Sequence, residues 1–468
     1  MDWGECKKML MMLQYDEQEA EEQRPRIEKA FDRIGFSDAE VKIAQKNIEH
    51  DFDLVSAKMA IGTWFRRFID IILCRDEYEK VVYHVHPGIP RLNLAMTQVY
   101  PNLFSDFPET IMMNVLGMFD KLKYIIEQAE EWGLEQTQAH CSINQVTYGA
   151  IMSDLIPKPD LIVAGRYQCD QTVKLCELIS QMKKVPFIAF DSVRDEPWGF
   201  FPEVADRAVD YFGDEYDDAL SDSCKLLGIP PLTDEQWKKA RKDYVLPYIL
   251  LNDIHETYIK AEKRPARLSN HQPFQFGTLE TSGRYYEKFM NALQGYLREL
   301  RRRVKEGVGV LPKGAPKVGM MCGTSFGMHD DADMYEEAGL DVVVPIAAVW
   351  VAPFERGEKR AVGHSRRIAW SFIKKGYVRV TYDHAYRFRA LAEHGNLDGI
   401  IYAAMFSCRV LQAGYMVKKV VEEAGYPTMV LETDIVDPRT HTADTLRTRV
   451  EAFAELLRAR QGDQGAAA

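Results

Sequence analysis

The chain has 468 residues and a formal net charge of −11, with 46 % hydrophobic and 28 % charged residues. This composition is ordinary for a globular protein, and the length predicts two or three domains. The acidic balance argues against a nucleic-acid binder, because affinity for phosphate backbones depends on Lys and Arg. The apolar run at 342–354 is too short to cross a membrane, and acidic residues near Met1 are atypical of a signal peptide, so we expect a cytoplasmic protein without a membrane segment.

In chain order, the patterns predict an α/β fold with two parallel-sheet domains. Residues 1–100 are charged and helical in pattern, which predicts an N-terminal helical extension, although 81–86 has the character of a short strand. Residues 101–204 form the first predicted α/β domain, because an apolar strand, a helix and a second strand follow one another there. Residues 205–312 predict a helical connection, and residues 313–460 predict a second α/β domain.

Three of the eight cysteines share one local setting. Cys141, Cys169 and Cys408 each precede a predicted helix, and the last two also follow an apolar strand. Ligands of parallel sheets bind outside the carboxyl ends of the strands, and a helix N-terminus favours a thiolate. Three such thiolates from two domains can hold an iron–sulfur cluster and leave a fourth position to a non-protein ligand. The alternative remains open, because any one of these cysteines taken alone is more often a small buried residue.

A fourth cysteine, Cys322, also ends a predicted strand and precedes Gly-Thr-Ser. It is either a fourth ligand or a plain core thiol, and the plain thiol is favoured. Two phosphate-binding motifs are missing from the chain: the G-x-G-x-x-G loop of dinucleotide sites and the G-x-x-x-x-G-K-[ST] loop of P-loop ATPases. Dinucleotide binding and P-loop ATP hydrolysis are therefore disfavoured.

Several runs of residues resemble the 2-hydroxyacyl-CoA dehydratase / benzoyl-CoA reductase family. They are Cys141-Ser142, Ile156-Pro-Lys-Pro-Asp-Leu161 leading to Gln168-Cys169-Asp170, Asp398-Gly-Ile-Ile with Ser407-Cys408, and the closing run Leu431-Glu-Thr-Asp-Ile-Val-Asp-Pro-Arg439. The resemblance covers roughly residues 105–460. The closing run is most similar to the larger cluster-bearing subunit of benzoyl-CoA reductase.

The resemblance implies two flavodoxin-like domains, with Cys141, Cys169 and Cys408 as ligands of a [4Fe-4S] or larger cluster. It implies a related second subunit in a heterodimer, or a homodimer, and a separate ATP-hydrolysing iron–sulfur activator. The implied substrate is an acyl-CoA, and the implied activity is that of a low-potential reductase of the benzoyl-CoA reductase type. An (R)-2-hydroxyacyl-CoA dehydratase subunit acting through a ketyl radical is one alternative. A double-cubane-type electron-transfer or reductase protein, or a non-catalytic family subunit, is another.

The resemblance assigns no acid or base. The segment 270–277 falls where the family places residues near the substrate, and His271 within it is a weak candidate for a proton donor. A loop histidine with a structural role is the favoured alternative.

Overall fold

The computed structural model describes residues 1–85, 90–135, 140–166, 169–191, 204–275, 278, 283–321, 325–345, 350, 362–374, 382–405, 408, 413–440 and 442–467. The chain opens with four helices, α1 (Trp3–Met12), α2 (Glu17–Ile34), α3 (Asp38–Asp51) and α4 (Val55–Glu77). The first three of these helices begin at polar caps that are encoded locally. Asp16 accepts a hydrogen bond from the Glu19 amide at the start of α2, and Ser37 and Glu40 form a capping box at the start of α3.

The first parallel sheet follows. Its elements are β1 (Lys80–Val85), α5 (Pro90–Val99), β2 (Leu103–Asp106), α6 (Pro108–Met118), α7 (Leu122–Glu131), α8 (Ser142–Met152), β3 (Leu161–Gly165), α9 (Asp170–Lys183) and β4 (Phe187–Phe190). The strand order is β2-β1-β3-β4. Tyr83 in β1 pairs with Asp106 of β2 and with Ile162 of β3. All five residues of β3 are buried, which explains its continuous apolar sequence.

The boundary expected at residue 100 passes through this sheet. β1 and α5 precede residue 100, yet β1 lies between β2 and β3. The helical extension therefore ends at Glu77, where α4 ends. The helical periodicity of residues 1–77 was the stronger signal, and the strand β1 (Lys80–Val85) belongs to the domain that follows the extension.

Helices fill the connection, as predicted: α10 (Asp206–Leu227), α11 (Asp234–Lys260), a 3₁₀ turn (Leu268–His271), α12 (Gln272–Gln275) and α13 (Tyr286–Glu306). The helix α10 also covers the first sheet, because Phe212 stacks on Phe190 of β4 with ring centroids 6.2 Å apart. The connection is thus partly a layer of the first domain.

The second sheet repeats the strand order of the first, β6-β5-β7-β8. Its elements are β5 (Lys317–Met320), α14 (Asp331–Glu337), β6 (Asp341–Val344), α15 (His364–Lys374), α16 (Tyr382–Gly395), β7 (Gly399–Met405), α17 (Gly414–Glu423), β8 (Thr428–Thr433), a 3₁₀ turn (Pro438–Thr440) and α18 (Ala443–Ala467). In both sheets the order is second, first, third, fourth, which is the flavodoxin-like pattern. The α/β fold with two parallel sheets and N-terminal helices is confirmed.

One apolar core runs through the extension and both sheets, and it contains Phe65, Val115, Ile162 and Ile400. The extension is therefore packed against the rest of the chain. None of the helices in the described ranges is both long and apolar enough to cross a membrane.

Candidate functional site at the carboxyl ends of the two sheets

Each sheet has a point where the chain changes direction across the strands. In the first sheet β1 and β3 are neighbours, and the connections that leave them run to opposite sides; β5 and β7 stand in the same relation in the second sheet. Such a switch point opens a crevice outside the carboxyl ends of the strands. Cys169 follows β3 and Cys408 follows β7. The two cysteines therefore occupy equivalent places in the two halves.

Cys141 and Cys169 share a second feature, because each is the N-cap residue of a helix. Cys141 precedes α8 and Cys169 precedes α9, both with extended backbone angles and with no capping hydrogen bond from the side chain. Asp170 follows Cys169 and lies inside the first turn of α9. Free amides and the helix dipole at these ends favour a negatively charged sulfur.

Cys141 lies close enough to Cys169 and to Cys408 for their charges to act on it. Burial raises the pKa of Cys141 well above the ordinary value, and the charges of Cys408, Cys169 and Asp434 raise it further. Cys141 is 8 % exposed, whereas Cys169 and Cys408 are half-buried. The fold thus brings Cys141 of the first half near Cys408 of the second, and Cys169 and Cys408 are partly exposed.

The other cysteines are placed differently. Cys176 is fully buried within α9, and Cys6 and Cys74 are fully buried in the core that contains the extension. Cys224 is buried in α10. Cys322 lies outside the described residues, so its expected role stays a prediction.

His271 lies in the helical connection, at the end of the 3₁₀ turn Leu268–His271. It is fully buried, and its ring contacts the rings of His255, Tyr258 and Tyr296 at centroid distances of 5.3, 6.4 and 6.1 Å. Burial lowers the pKa of His271 well below its ordinary value, and the charges of His255 and Arg264 lower it further. A buried neutral ring favours the structural interpretation over a proton donor.

A hydrogen bond next to Cys141 joins the two halves, and sequence reasoning gave its residues no role. Ser142 Oγ donates to Asp434 Oδ1 at 2.6 Å, and both side chains are buried. Close by, Arg439 makes two hydrogen bonds to Glu130 at 2.7 and 2.8 Å and also bonds to Asp437. Ser142, Asp434 and Arg439 all lie in the runs that carry the family resemblance. The concentration of polar residues in these runs was the sequence signal that could have identified them.

A second group of ionisable side chains lies where the extension meets both sheets. A cavity of about 510 Å³ there is lined by His50 of α3, Asp120 after α6, and His329 and Asp330 before α14. The donor atoms of His50, Asp330 and Asp333 lie within 4.8 Å of one another. Asp333 also bonds to Arg267, and His50 Nδ1 lies 2.9 Å from Asp51 Oδ1. The group therefore forms a network of ion pairs between the extension and the second half.

A comparison with protein families identifies the family of the chain. The family model described as 2-hydroxyglutaryl-CoA dehydratase, D-component, matches residues 104–457. The chain belongs to this family. The resemblance inferred from the sequence is thus confirmed over almost the extent expected, and the extension lies outside the matched range.

Characterised relatives of this D-component family member are dehydratase subunits. Lactoyl-CoA dehydratase subunit alpha of Anaerotignum propionicum is 23 % identical over 318 residues, 65 % of this chain and 70 % of the relative. The (R)-2-hydroxyisocaproyl-CoA dehydratase alpha subunit of Clostridioides difficile is 22 % identical over 327 residues, 65 % of this chain and 73 % of the relative. The (R)-phenyllactyl-CoA dehydratase alpha subunit of Clostridium sporogenes is 21 % identical over 334 residues, 65 % and 72 % of the two chains.

Proposed function

We propose that the chain is a subunit of a 2-hydroxyacyl-CoA dehydratase, with Cys141, Cys169 and Cys408 as ligands of an iron–sulfur cluster. The observation that supports the proposal is the placement of Cys169 and Cys408 after the switch-point strands β3 and β7, with Cys141 close enough to both for their charges to act on it, in a chain of this family. The named relatives act on 2-hydroxyacyl-CoA thioesters, which favours this alternative over the expected reductase of the benzoyl-CoA type.

The donor set fits such a cluster. Thiolates are the usual ligands of iron–sulfur clusters, and three from the protein leave one iron for another ligand. When bound, such a cluster would supply one-electron chemistry. The chain supplies two half-buried cysteines that follow β3 and β7 and one buried cysteine at the start of α8. These residues hold the site at the interface of the two halves, where a thioester can enter between the sheet edges.

The reaction proposed is the elimination of water. The C2–O bond of a 2-hydroxyacyl-CoA breaks, a C3 hydrogen leaves as a proton, and the products are a 2-enoyl-CoA and water. The overall change is redox-neutral, so an electron supplied by a separate activator is returned in each turnover. The relatives are alpha subunits, and we propose a related second subunit for this chain as well.

Iron and sulfide analysis of the anaerobically purified protein tests the ligand assignment. We expect about four irons per chain, as for a [4Fe-4S] cluster, and a loss of iron in Cys141→Ser, Cys169→Ser and Cys408→Ser. Cys176→Ser is the matched control, because this cysteine lies within α9, the helix that Cys169 precedes, but is buried in the core. Full iron content in the three variants would contradict the assignment.

A second experiment tests the reaction. The complex is isolated through a tag on this chain and supplied with activator, ATP and a low-potential reductant. Formation of a 2-enoyl-CoA from a 2-hydroxyacyl-CoA supports the dehydratase. Reduction of an aromatic acyl-CoA without dehydration would instead favour the reductase, to which the run at 431–439 is similar.

A further inference from the structure

The carboxylate of Asp434 is held in one orientation at the end of β8. Its Oδ1 atom accepts three hydrogen bonds, from Ser142 Oγ at 2.6 Å, from the Val436 amide at 2.8 Å and from the Asp437 amide at 3.0 Å. The two amides fold the following turn around the oxygen, as aspartate side chains often do. Asp434 is 5 % exposed. The oxygen that receives Ser142 is therefore fixed by its own half of the molecule.

Ser142 brings the other half to this oxygen. It is the first residue of α8, directly after Cys141, and it is 1 % exposed. The two bonded residues are 292 positions apart in the chain, so the bond links the part that carries Cys141 and Cys169 to the part that carries Cys408. A buried hydrogen bond to a carboxylate is stronger than one between neutral groups, and it also fixes direction.

Two further contacts support this link, one within the second half and one across the seam between the two halves. The Phe326 amide donates to the Ile435 carbonyl at 2.7 Å, and Arg439 bonds to Glu130 of α7. These contacts hold the turn after β8 in place on both sides. Among the described residues, Ser142–Asp434 is a side-chain hydrogen bond across this seam that lies directly next to a cysteine of the site.

We propose that Asp434, acting through Ser142, is a positioning residue that sets the place of the Cys141 sulfur relative to Cys408. The proposal rests on the proposed function, since it assigns the residue to the cluster site described above. Partners of this kind orient the groups that bind a metal and tune its properties. Hydrogen bonding and nearby charge are also among the factors that set the reduction potential of iron–sulfur centres.

Two substitutions separate the hydrogen bond from the charge. Asp434→Asn keeps an oxygen that can accept from Ser142 and from the two amides, but it removes the negative charge. We expect this variant to retain its iron and to show a more positive reduction potential. Ser142→Ala removes the bond and leaves the charge. We expect a changed electron paramagnetic resonance spectrum and roughly a tenfold faster loss of iron to a chelator, in the range seen for outer partners of metal sites.

Ser153→Ala is the matched control. Ser153 lies at the other end of the same helix, where its hydroxyl donates to the Gly149 carbonyl at 2.6 Å. The Ser153→Ala variant removes a serine hydroxyl at the carboxyl end of α8 and leaves the Ser142–Asp434 bond in place. Ser142→Thr keeps a hydroxyl at position 142 and should retain the wild-type spectrum. If Ser142→Ala matches Ser153→Ala in spectrum and iron loss, the positioning role is overturned.

A measurement on metal-free protein separates this proposal from the proposed function. Dibromobimane becomes fluorescent when it joins two nearby thiols, and we expect it to link Cys141 to Cys408 less in Ser142→Ala than in wild type or Ser153→Ala. If the wild type binds no iron but this difference is found, the cluster assignment fails and the positioning of Cys141 stands. If the wild type binds iron and the variants crosslink equally, the positioning role fails alone.

Discussion

His329 Nδ1 lies 2.6 Å from Asp51 Oδ2, and this contact joins the loop before α14 to the N-terminal helix α3. The second ring nitrogen, Nε2, lies 3.1 Å from Asp120 Oδ1, which belongs to the first half. One imidazole thus contacts the extension and both α/β halves. A ring that bonds to two carboxylates carries a proton on each nitrogen, so His329 is charged in the folded protein.

The stability of the protein should therefore depend on pH through His329. Burial alone lowers the pKa of His329, but the hydrogen bonds and charges of Asp120 and Asp51 raise it from 6.5 to about 10. A raised pKa stabilises the fold fully below the unfolded value of 6.5, and the contribution is lost as the pH rises towards 10. We expect His329→Gln to be less stable than wild type by roughly 2 kcal/mol at pH 6. This figure is smaller than the full pKa shift would give, because solvent screens the exposed Asp120. The difference should shrink as the pH approaches 10.

Denaturant unfolding at several pH values between 6 and 10 measures this. His364→Gln is a suitable control, because burial lowers the pKa of His364 and so neither its folded nor its unfolded state titrates above pH 7. Its difference from wild type should stay constant from pH 8 to 10. A constant difference for His329→Gln over the same range would contradict the assignment of charge.

A buried ion pair anchors the extension to the first sheet. Arg67 of α4 bonds to Asp106 at the end of β2, and both side chains are 4 % exposed. Arg67→Met keeps much of the shape but leaves a buried carboxylate unpaired, which should cost about 3–5 kcal/mol. Arg24→Met removes an exposed pair with Glu28 and should cost less than about 1 kcal/mol. Urea unfolding measures the free energy of unfolding of both variants. Equal decreases in the two would contradict a stabilising role for the buried pair.

Close packing of α4 on α1 requires a glycine. A Cβ atom at Gly62 would lie 2.0 Å from the Leu13 carbonyl oxygen, which is backbone and cannot move aside. Gly62→Ala should therefore destabilise the protein by about 3 kcal/mol, although alanine is the better helix former. At Gly295 in α13 the nearest atom would be the Ser56 Cβ at 3.5 Å, so Gly295→Ala should gain up to about 1 kcal/mol. Thermal unfolding of both variants checks the opposite signs.

The position of His271 predicts a small effect on catalysis. His271→Phe should lower kcat by less than about tenfold, whereas loss of a general acid lowers the rate by about 10²–10⁴-fold. His255→Phe, which changes the neighbouring buried ring, should give a similar result. Turnover of a 2-hydroxyacyl-CoA by the assembled complex is the measurement. A loss of 10³-fold at His271 alone would restore it as a proton donor.

The sequence was sufficient for features that depend on local pattern. Apolar runs followed by helical periodicity located β3, β4, β7 and β8, and the setting of Cys169 and Cys408 after strands followed from those runs. The boundary at residue 100 was wrong, because strand order is fixed by pairing between distant residues such as Tyr83 and Ile162. Local pattern does not contain that information.

Contacts across the seam also escaped prediction. Ser142 and Asp434 are 292 positions apart, and neither residue type in its local run indicates the other as a partner. The same holds for His329 with Asp51 and Asp120. Charged and hydroxyl residues have many possible partners, and only the assembled fold selects among them.

The N-terminal extension has a mechanical consequence for the whole molecule. Asn47 of α3 donates to the Met118 carbonyl of the first half, and Asp51 of the same helix contacts His329 of the second. A rotation that parts the two halves must first break one of these contacts. The extension thus links the two halves and favours a single relative orientation of them.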